Sequence, residues 1–194
     1  FQITATNWSG ELRVRASLDA RVANLNVRAD RGFNSQHLVN AIGTAISPEV
    51  VQLQVQTSQS RIRIAQASRV RTLVDGVTIE ADRDLVQQPG SIAHELRLDV
   101  REGQTVTVEK VVTLYTSRDP AVSEPGLAAA DEVLHAGTFK KLLASHRTAW
   151  HRLWSRLHVD VGHAYSNRVL RLHAFHVLQT LSRHTMELDV GVPA

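Results

Sequence analysis

From Phe1 to about Asp119, polar and apolar residues alternate over short runs. Glu11-Leu12-Arg13-Val14-Arg15, Val51-Gln52-Leu53-Gln54-Val55-Gln56, Arg61-Ile62-Arg63-Ile64, His94-Glu95-Leu96-Arg97-Leu98-Asp99-Val100 and Thr105-Val106-Thr107-Val108 all follow this pattern. A period of two places alternate side chains on opposite faces of a strand, so each run predicts a strand buried on one face. Trp8-Ser9-Gly10, Asp75-Gly76, Gln88-Pro89-Gly90 and Glu102-Gly103 separate the runs as turn signals. Many short strands with no helical run between them predict a mainly β protein, an antiparallel sandwich.

Pro120 and Pro125 interrupt any further ladder, and Pro125 suits the first position of a helix. Beyond them the period changes. Leu127 to Leu134 is Ala-rich and helical, with Gly137 as a stop and Thr138 as a cap for the next helix. The second helix carries Phe139, Leu142, Leu143, Ala149, Trp150, Leu153, Trp154 and Leu157 near three-four spacing, with His146 on the same stripe. Val159-Asp160-Val161-Gly162 reads as an extended break. A third helix is predicted from about Ser166 to Thr185. Its Val169, Leu170, Leu172, Ala174, Phe175, Val177, Leu178 and Leu181 cover more than one face, which predicts burial on several sides by neighbours expected from outside this chain. Three segments follow: a sandwich over 1–121, helices over 122–162 and the start of a helical domain over 163–194.

The 194 residues are 43% hydrophobic and 21% charged, ordinary globular values that exclude a disordered chain. No run approaches the roughly 20 apolar residues of a membrane-spanning helix. The chain opens on Phe1, without an initiator Met and inside a strand-like stretch, which predicts a piece of a longer protein. With no cysteine there is neither a disulfide framework nor a thiolate metal site, and a reducing cytoplasm is the expected compartment. The net charge is +3, but the arginines are scattered among acids, so no nucleic-acid footprint is expected.

Candidate chemistry is sparse. His173 and His176 could share a helix face as zinc ligands do, yet no His-Glu-x-x-His pattern supports them. Asp82 and Asp84 fall in an expected polar turn, and Asp131 and Glu132 near an expected helix start; neither pair has the apolar setting that raises a catalytic carboxylate's pKa. There is no Gly-x-Ser-x-Gly elbow and no phosphate loop. Asn7-Trp8-Ser9 matches a glycosylation sequon without other signs of secretion. Trp150 and Trp154 lie four apart and are expected to be buried packing residues rather than sugar platforms, while Trp8 sits beside a turn. The chain therefore offers no catalytic residue, no cofactor-binding residue and no metal ligand.

Several segments together resemble one family. Asn7-Trp8-Ser9-Gly10 with Leu18-Asp19 and Val22-Ala23-Asn24 is similar to a strand-turn-strand of glycoside hydrolase family 65, the maltose, trehalose and kojibiose phosphorylase family. Phe33-Asn34-Ser35-Gln36-His37-Leu38 resembles its following loop. Glu109 to Asp119 resembles the domain's last long strand, and Ser145-His146-Arg147-Thr148-Ala149-Trp150 with Leu153-Trp154 its linker helix. Arg168 to Gln179 resembles the first barrel helix, and Gly191-Val192-Pro193-Ala194 the approach to the active-site loops.

The resemblance implies part of a β super-sandwich, linker helices and one helix of a truncated (α/α)6 barrel. It implies a parent enzyme that cleaves an α-glucosidic disaccharide with inversion, using phosphate or water, through a Glu general acid beyond Ala194. This chain would be the non-catalytic N-terminal part, supporting the remainder of the enzyme and helping to assemble subunits; separately, the unpartnered apolar faces of the third helix predict either a homodimer buried partly through it or a mobile or displaced helix. Disaccharide and phosphate would bind only in the full-length protein. The alternative is a free-standing carbohydrate-binding module, which needs exposed aromatics that a 5% aromatic content does not readily supply.

Overall fold

The computed structural model describes residues 1–24, 35–157 and 159–180. Phe33, Asn34, His158, Leu181, the expected end of the third helix and Gly191 to Ala194 lie outside the described residues. Among the described residues nine strands come first: β1 (Gln2–Thr4), β2 (Gly10–Asp19), β3 (Leu38–Ser47), β4 (Val50–Thr57), β5 (Arg63–Val74), β6 (Val77–Ile79), β7 (Asp82–Gln88), β8 (Ser91–Val100) and β9 (Thr105–Thr116). Three helices follow: α1 (Pro125–His135), α2 (Phe139–Arg156) and α3 (Ala164–Thr180).

All strand pairing is antiparallel. The larger sheet runs β1-β9-β5-β4-β3, with β6 paired to β5, and the smaller runs β2-β8-β7. Asp75-Gly76 makes the two-residue turn between β5 and β6, with φ of 48° and 82°. A two-residue hairpin needs positive φ at both positions, which explains the Asp-Gly pair.

The alternation seen in the sequence is the inward face of each strand. Val14, Ala16, Leu96, Leu98 and Val100 of the small sheet meet Val70, Val106 and Val108 of the large one. Leu18 and Ile92 meet Val51, Leu53 and Val55 in a second cluster. At Gly43 the sheets approach so closely that an added Cβ would lie 3.1 Å from Ile92 Cβ. Polar side chains also bridge the layers: Lys110 Nζ donates to Ser17 O (2.6 Å) and Gln87 Nε2 to Gly43 O (3.1 Å).

The other face of the large sheet is covered by α1. Ala129 and Val133 pack on Val50, Ala65, Ala67 and Val111. Pro125 stands in the first turn of α1, as its fixed φ favours. Gly126 lets the helix start sit against the sheet: Gln52 Nε2 donates to its carbonyl at 2.5 Å, and a Cβ there would collide with the Gln54 side-chain amide.

Residues Phe1–Phe139 form one compact unit and Lys140–Ala194 a second. The helical segment drawn over 122–162 is thus divided, with α1 belonging to the sheets. In the second unit α2 and α3 contain no fully buried residue among those described. Leu143, Trp150 and Trp154 of α2, and Val169, Ala174, Phe175 and Leu178 of α3, are half-buried stripes. Trp150 and Trp154, expected to be mostly buried against the sandwich or a neighbouring helix, are half-buried. Their rings lie 6.1 Å apart, and Trp150 lies 5.1 Å from Phe175, so the two helices share a small aromatic contact rather than a core. In α3, Leu170, Leu172 and Val177 are exposed.

Two placements differ from the sequence expectation. Asp82 and Asp84 lie in strand β7, not in a turn. This strand is polar because it edges its sheet, and an edge strand tolerates charge on its outward face. Asp131 and Glu132 lie well inside α1 rather than in its first turn, because the helix begins at Pro125.

Candidate functional site

The β3–β4 hairpin, the segment before β7, the start of β7 and the middle of β8 line a concavity in the sandwich unit. Its volume is about 560 Å3, and Ser47, Glu49, Glu80, Arg83, Leu85 and His94 are among its walls. Strand register explains how these side chains meet. Leu85 is directly opposite His94 on the paired strands β7 and β8, and Arg83 opposite Leu96. Leu96 faces the core, so Arg83, Leu85 and His94 all point into the space between the sheets.

Arg83 spans that space. Its Nη1 donates to Pro48 O and its Nη2 to Val70 O, both at 3.1 Å. Burial holds its pKa below the ordinary value. Beside it, His94 is only 2% exposed and its Nδ1 has no hydrogen-bond partner. Burial, reinforced by the Arg83 charge, lowers its pKa to about 4, so the ring is neutral near pH 7. Glu49 faces Arg71, with Nε to Oε2 at 3.4 Å. The cleft can therefore offer hydrogen-bonding groups, but its one cation is already engaged by carbonyls.

The residues singled out from the sequence lie elsewhere or in other roles. Asp82 and Asp84 both bind Arg97, at 2.9 and 2.7 Å; Asp82 also reaches the cleft rim. Asp131 pairs with His135 at 3.4 Å, and Glu132 is exposed on the same helix. His173 and His176 are exposed on α3, and among the described residues no three His, Asp or Glu side chains gather as a metal site. Trp8 is half-buried against the inter-sheet core, and Ser9 Oγ accepts from Glu102 N at 2.8 Å. His94 and Arg83 were not identified from the sequence. Parity offered a signal for His94, which falls in step with Leu96, Leu98 and Val100.

Comparison with known proteins places the fold. The N-terminal domain of glycosyl hydrolase family 65 matches residues 1–153. An uncharacterized glycosyl hydrolase of Mycobacterium tuberculosis is 39% identical over 194 residues, all of this chain and 14% of that protein. A kojibiose phosphorylase of Halothermothrix orenii is 23% identical, over 98% of this chain and 25% of its own length. A solved structure, provisionally described as a kojibiose phosphorylase from the human microbiome, superposes with a TM-score of 0.57 at 10% identity. The superposition covers 75% of this chain and 18% of that one. The chain thus spans a quarter or less of these relatives. The paired antiparallel sheets, the covering helix and the match over residues 1–153 lead to one assignment: the chain belongs to glycosyl hydrolase family 65 and carries its N-terminal domain.

Proposed function

We propose that this chain is the non-catalytic N-terminal portion of a cytoplasmic, inverting α-glucosyl disaccharide phosphorylase or hydrolase. In this reading the sandwich unit supports the catalytic barrel, α2 is the linker and residues 163–194 begin the barrel. The observation that carries it is that several carboxylates of the sandwich unit are ion-paired with arginines, while Glu80, Asp99, Glu102 and Glu132 are exposed to water. Asp19 is held by Arg21, Glu49 by Arg71, Asp82 and Asp84 by Arg97, and Glu124 by Arg63. A general acid needs the opposite setting, an apolar one that keeps its proton near neutral pH. Asp19 has its pKa lowered to about 2 by hydrogen bonds from Arg21.

The test is direct. The chain is incubated with kojibiose, trehalose and maltose, each with and without phosphate. Neither glucose nor a glucose phosphate is expected above a blank, and release of either overturns the reading. The same reading includes a homodimer. Its motive is the exposed apolar side chains of α3, among them Leu172 and Val177, each 51% exposed. A single monomeric species in sedimentation velocity would remove the dimer from the proposal.

A further inference from the structure

We propose that α2 lies along the surface of an anionic lipid bilayer, with Leu142 and Leu153 in the headgroup region and its arginines against lipid phosphates. Charge is segregated along the chain. Between Lys140 and Thr180 there are seven Lys and Arg residues and one acid, Asp160, while the rest of the chain has more acids than bases. Five of the seven, Lys140, Lys141, Arg147, Arg152 and Arg156, belong to α2, which contains no acid at all. All five are exposed. The arginines interleaved with acids are those of the sandwich unit, where Arg63, Arg71 and Arg97 face carboxylates.

The apolar residues of α2 are divided as well. At about 3.6 residues per turn, Leu143, Trp150 and Trp154 share one stripe. That stripe is half-buried, and Trp150 rests 5.1 Å from Phe175 of α3. Leu142 and Leu153 fall beside it and stay 42% and 39% exposed. Arg152 and Arg156 come next around the helix, and Lys140 and Arg147 flank the stripe on its other side. An uncovered apolar strip edged by cations suits a helix in a membrane interface. Its leucines enter the acyl boundary while long cationic side chains reach the phosphates. Among the described residues no helix is long and apolar enough to cross a bilayer, and a helix divided in this way lies in the plane of the surface. Charge complementarity selects the lipid: each cation near an anionic surface raises partitioning about fivefold. Nucleic acid offers the same phosphates but little hydrocarbon for Leu142 and Leu153. The cytoplasmic leaflet is such an anionic surface, which agrees with the compartment proposed above.

This inference goes beyond the proposed function and does not depend on it: the cleavage assay reads bond breaking, whereas a vesicle assay reads partitioning. The test floats the whole chain with vesicles of equal parts phosphatidylglycerol and phosphatidylcholine, and with vesicles of phosphatidylcholine alone. Partitioning at least about tenfold stronger to the anionic vesicles is expected, falling as salt is raised. Arg152→Gln combined with Arg156→Gln is expected to weaken it about tenfold or more. Leu142→Ser combined with Leu153→Ser is expected to weaken it at least about fivefold. All four positions are exposed, so the far-ultraviolet circular dichroism of both variants is expected to match the parent's. Arg118→Gln, an exposed arginine of the sandwich unit, is expected to leave partitioning unchanged. Equal partitioning to the two kinds of vesicle, or indifference to either pair of substitutions, would overturn the proposal. Binding to a single-stranded oligonucleotide without binding to the anionic vesicles would overturn it too and assign this face to nucleic acid.

Discussion

Arg69 Nη1 donates to the carbonyl oxygen of Val133 at 2.9 Å, from the centre of β5 to the last turn of α1. The same nitrogen reaches Leu134 O at 3.2 Å, and Nη2 reaches Gly137 O at 2.9 Å. Arg69 is 3% exposed, and desolvation holds its pKa below the ordinary value. Among the described residues its hydrogen bonds go to carbonyls, not to a carboxylate. The end of a helix supplies the negative partner, since its last carbonyls lack intrahelical donors and carry the negative end of the dipole. Glu109 completes the junction by accepting from Phe139 N at 2.7 Å, where α2 begins.

Arg69→Met keeps much of the packing volume and removes all three donors. Hydrogen bonds to charged groups are each worth about 1.5–3 kcal/mol and do not add fully, so a loss of about 2–4 kcal/mol is expected. Denaturant unfolding measures it. Arg69→Lys is expected to recover only part, because one ammonium lacks the planar fork that reaches separated carbonyls. Full recovery by Lys would show that charge alone, not the fork, holds the helix end.

Gly43→Ala tests the close approach of the two sheets. The new Cβ would lie 3.1 Å from Ile92 Cβ, a branched carbon fixed to its own strand. Ile92 is fully buried and cannot swing aside as a long side chain would. Overpacking of this kind costs about 1–3 kcal/mol. Because the contact is with Cβ itself, Ile92→Val in the same chain is expected not to relieve it. A Gly43→Ala protein as stable as the parent would mean that the sheets stand farther apart here than the 3.1 Å approach.

The sequence made some of this legible and hid the rest for physical reasons. Alternation located β2, β4, β8 and β9 because their inward residues are apolar, and Asp75-Gly76 and Pro125 marked local geometry that few other residues favour. Strand β7 was hidden because it is a polar edge strand whose acids pair with Arg97. Strand β3 was hidden by irregular pairing between Val39 and Ile42, with Asn40 at a φ of 54°, which breaks the period. Nothing in the sequence around Arg69 marks it as buried. Only the position of the α1 terminus supplies the carbonyls that allow its burial, and that position is tertiary information. His94 carried the parity of a core residue but the chemistry of a surface one.

Trp150→Ala is expected to destabilise the helical unit by about 1–2 kcal/mol, below the 3–5 kcal/mol typical of a core aromatic. The ring is half-buried and touches Trp154, Phe175 and His146. Trp154→Ala is expected to cost less, since Trp150 is the one ring that contacts it among the described aromatic pairs. Melting followed by far-ultraviolet circular dichroism compares the two. A larger loss at Trp154 would mean that its ring has a packing partner beyond Trp150.

His94 makes stability fall in mild acid. Its pKa is about 4 in the folded chain against an ordinary 6.5, so the folded state binds its proton less readily than the unfolded one. A depressed histidine leaves stability intact above about pH 6.5. As the pH falls below that, the unfolded chain takes up the proton first, and the folded state loses ground until the folded histidine titrates near pH 4. A shift of this size corresponds to about 3 kcal/mol over the window. Asp19 does not confuse the reading: its pKa, lowered to about 2, removes stability only below about pH 3.8. The measurement is the urea midpoint at intervals from pH 7 to pH 4. His94→Leu is expected to flatten the curve across that window, and Asp19→Asn to leave its slope unchanged. If the His94→Leu protein loses stability as steeply as the parent between pH 6.5 and 4, another group carries the acid sensitivity and the imidazole is not the buried neutral ring described above.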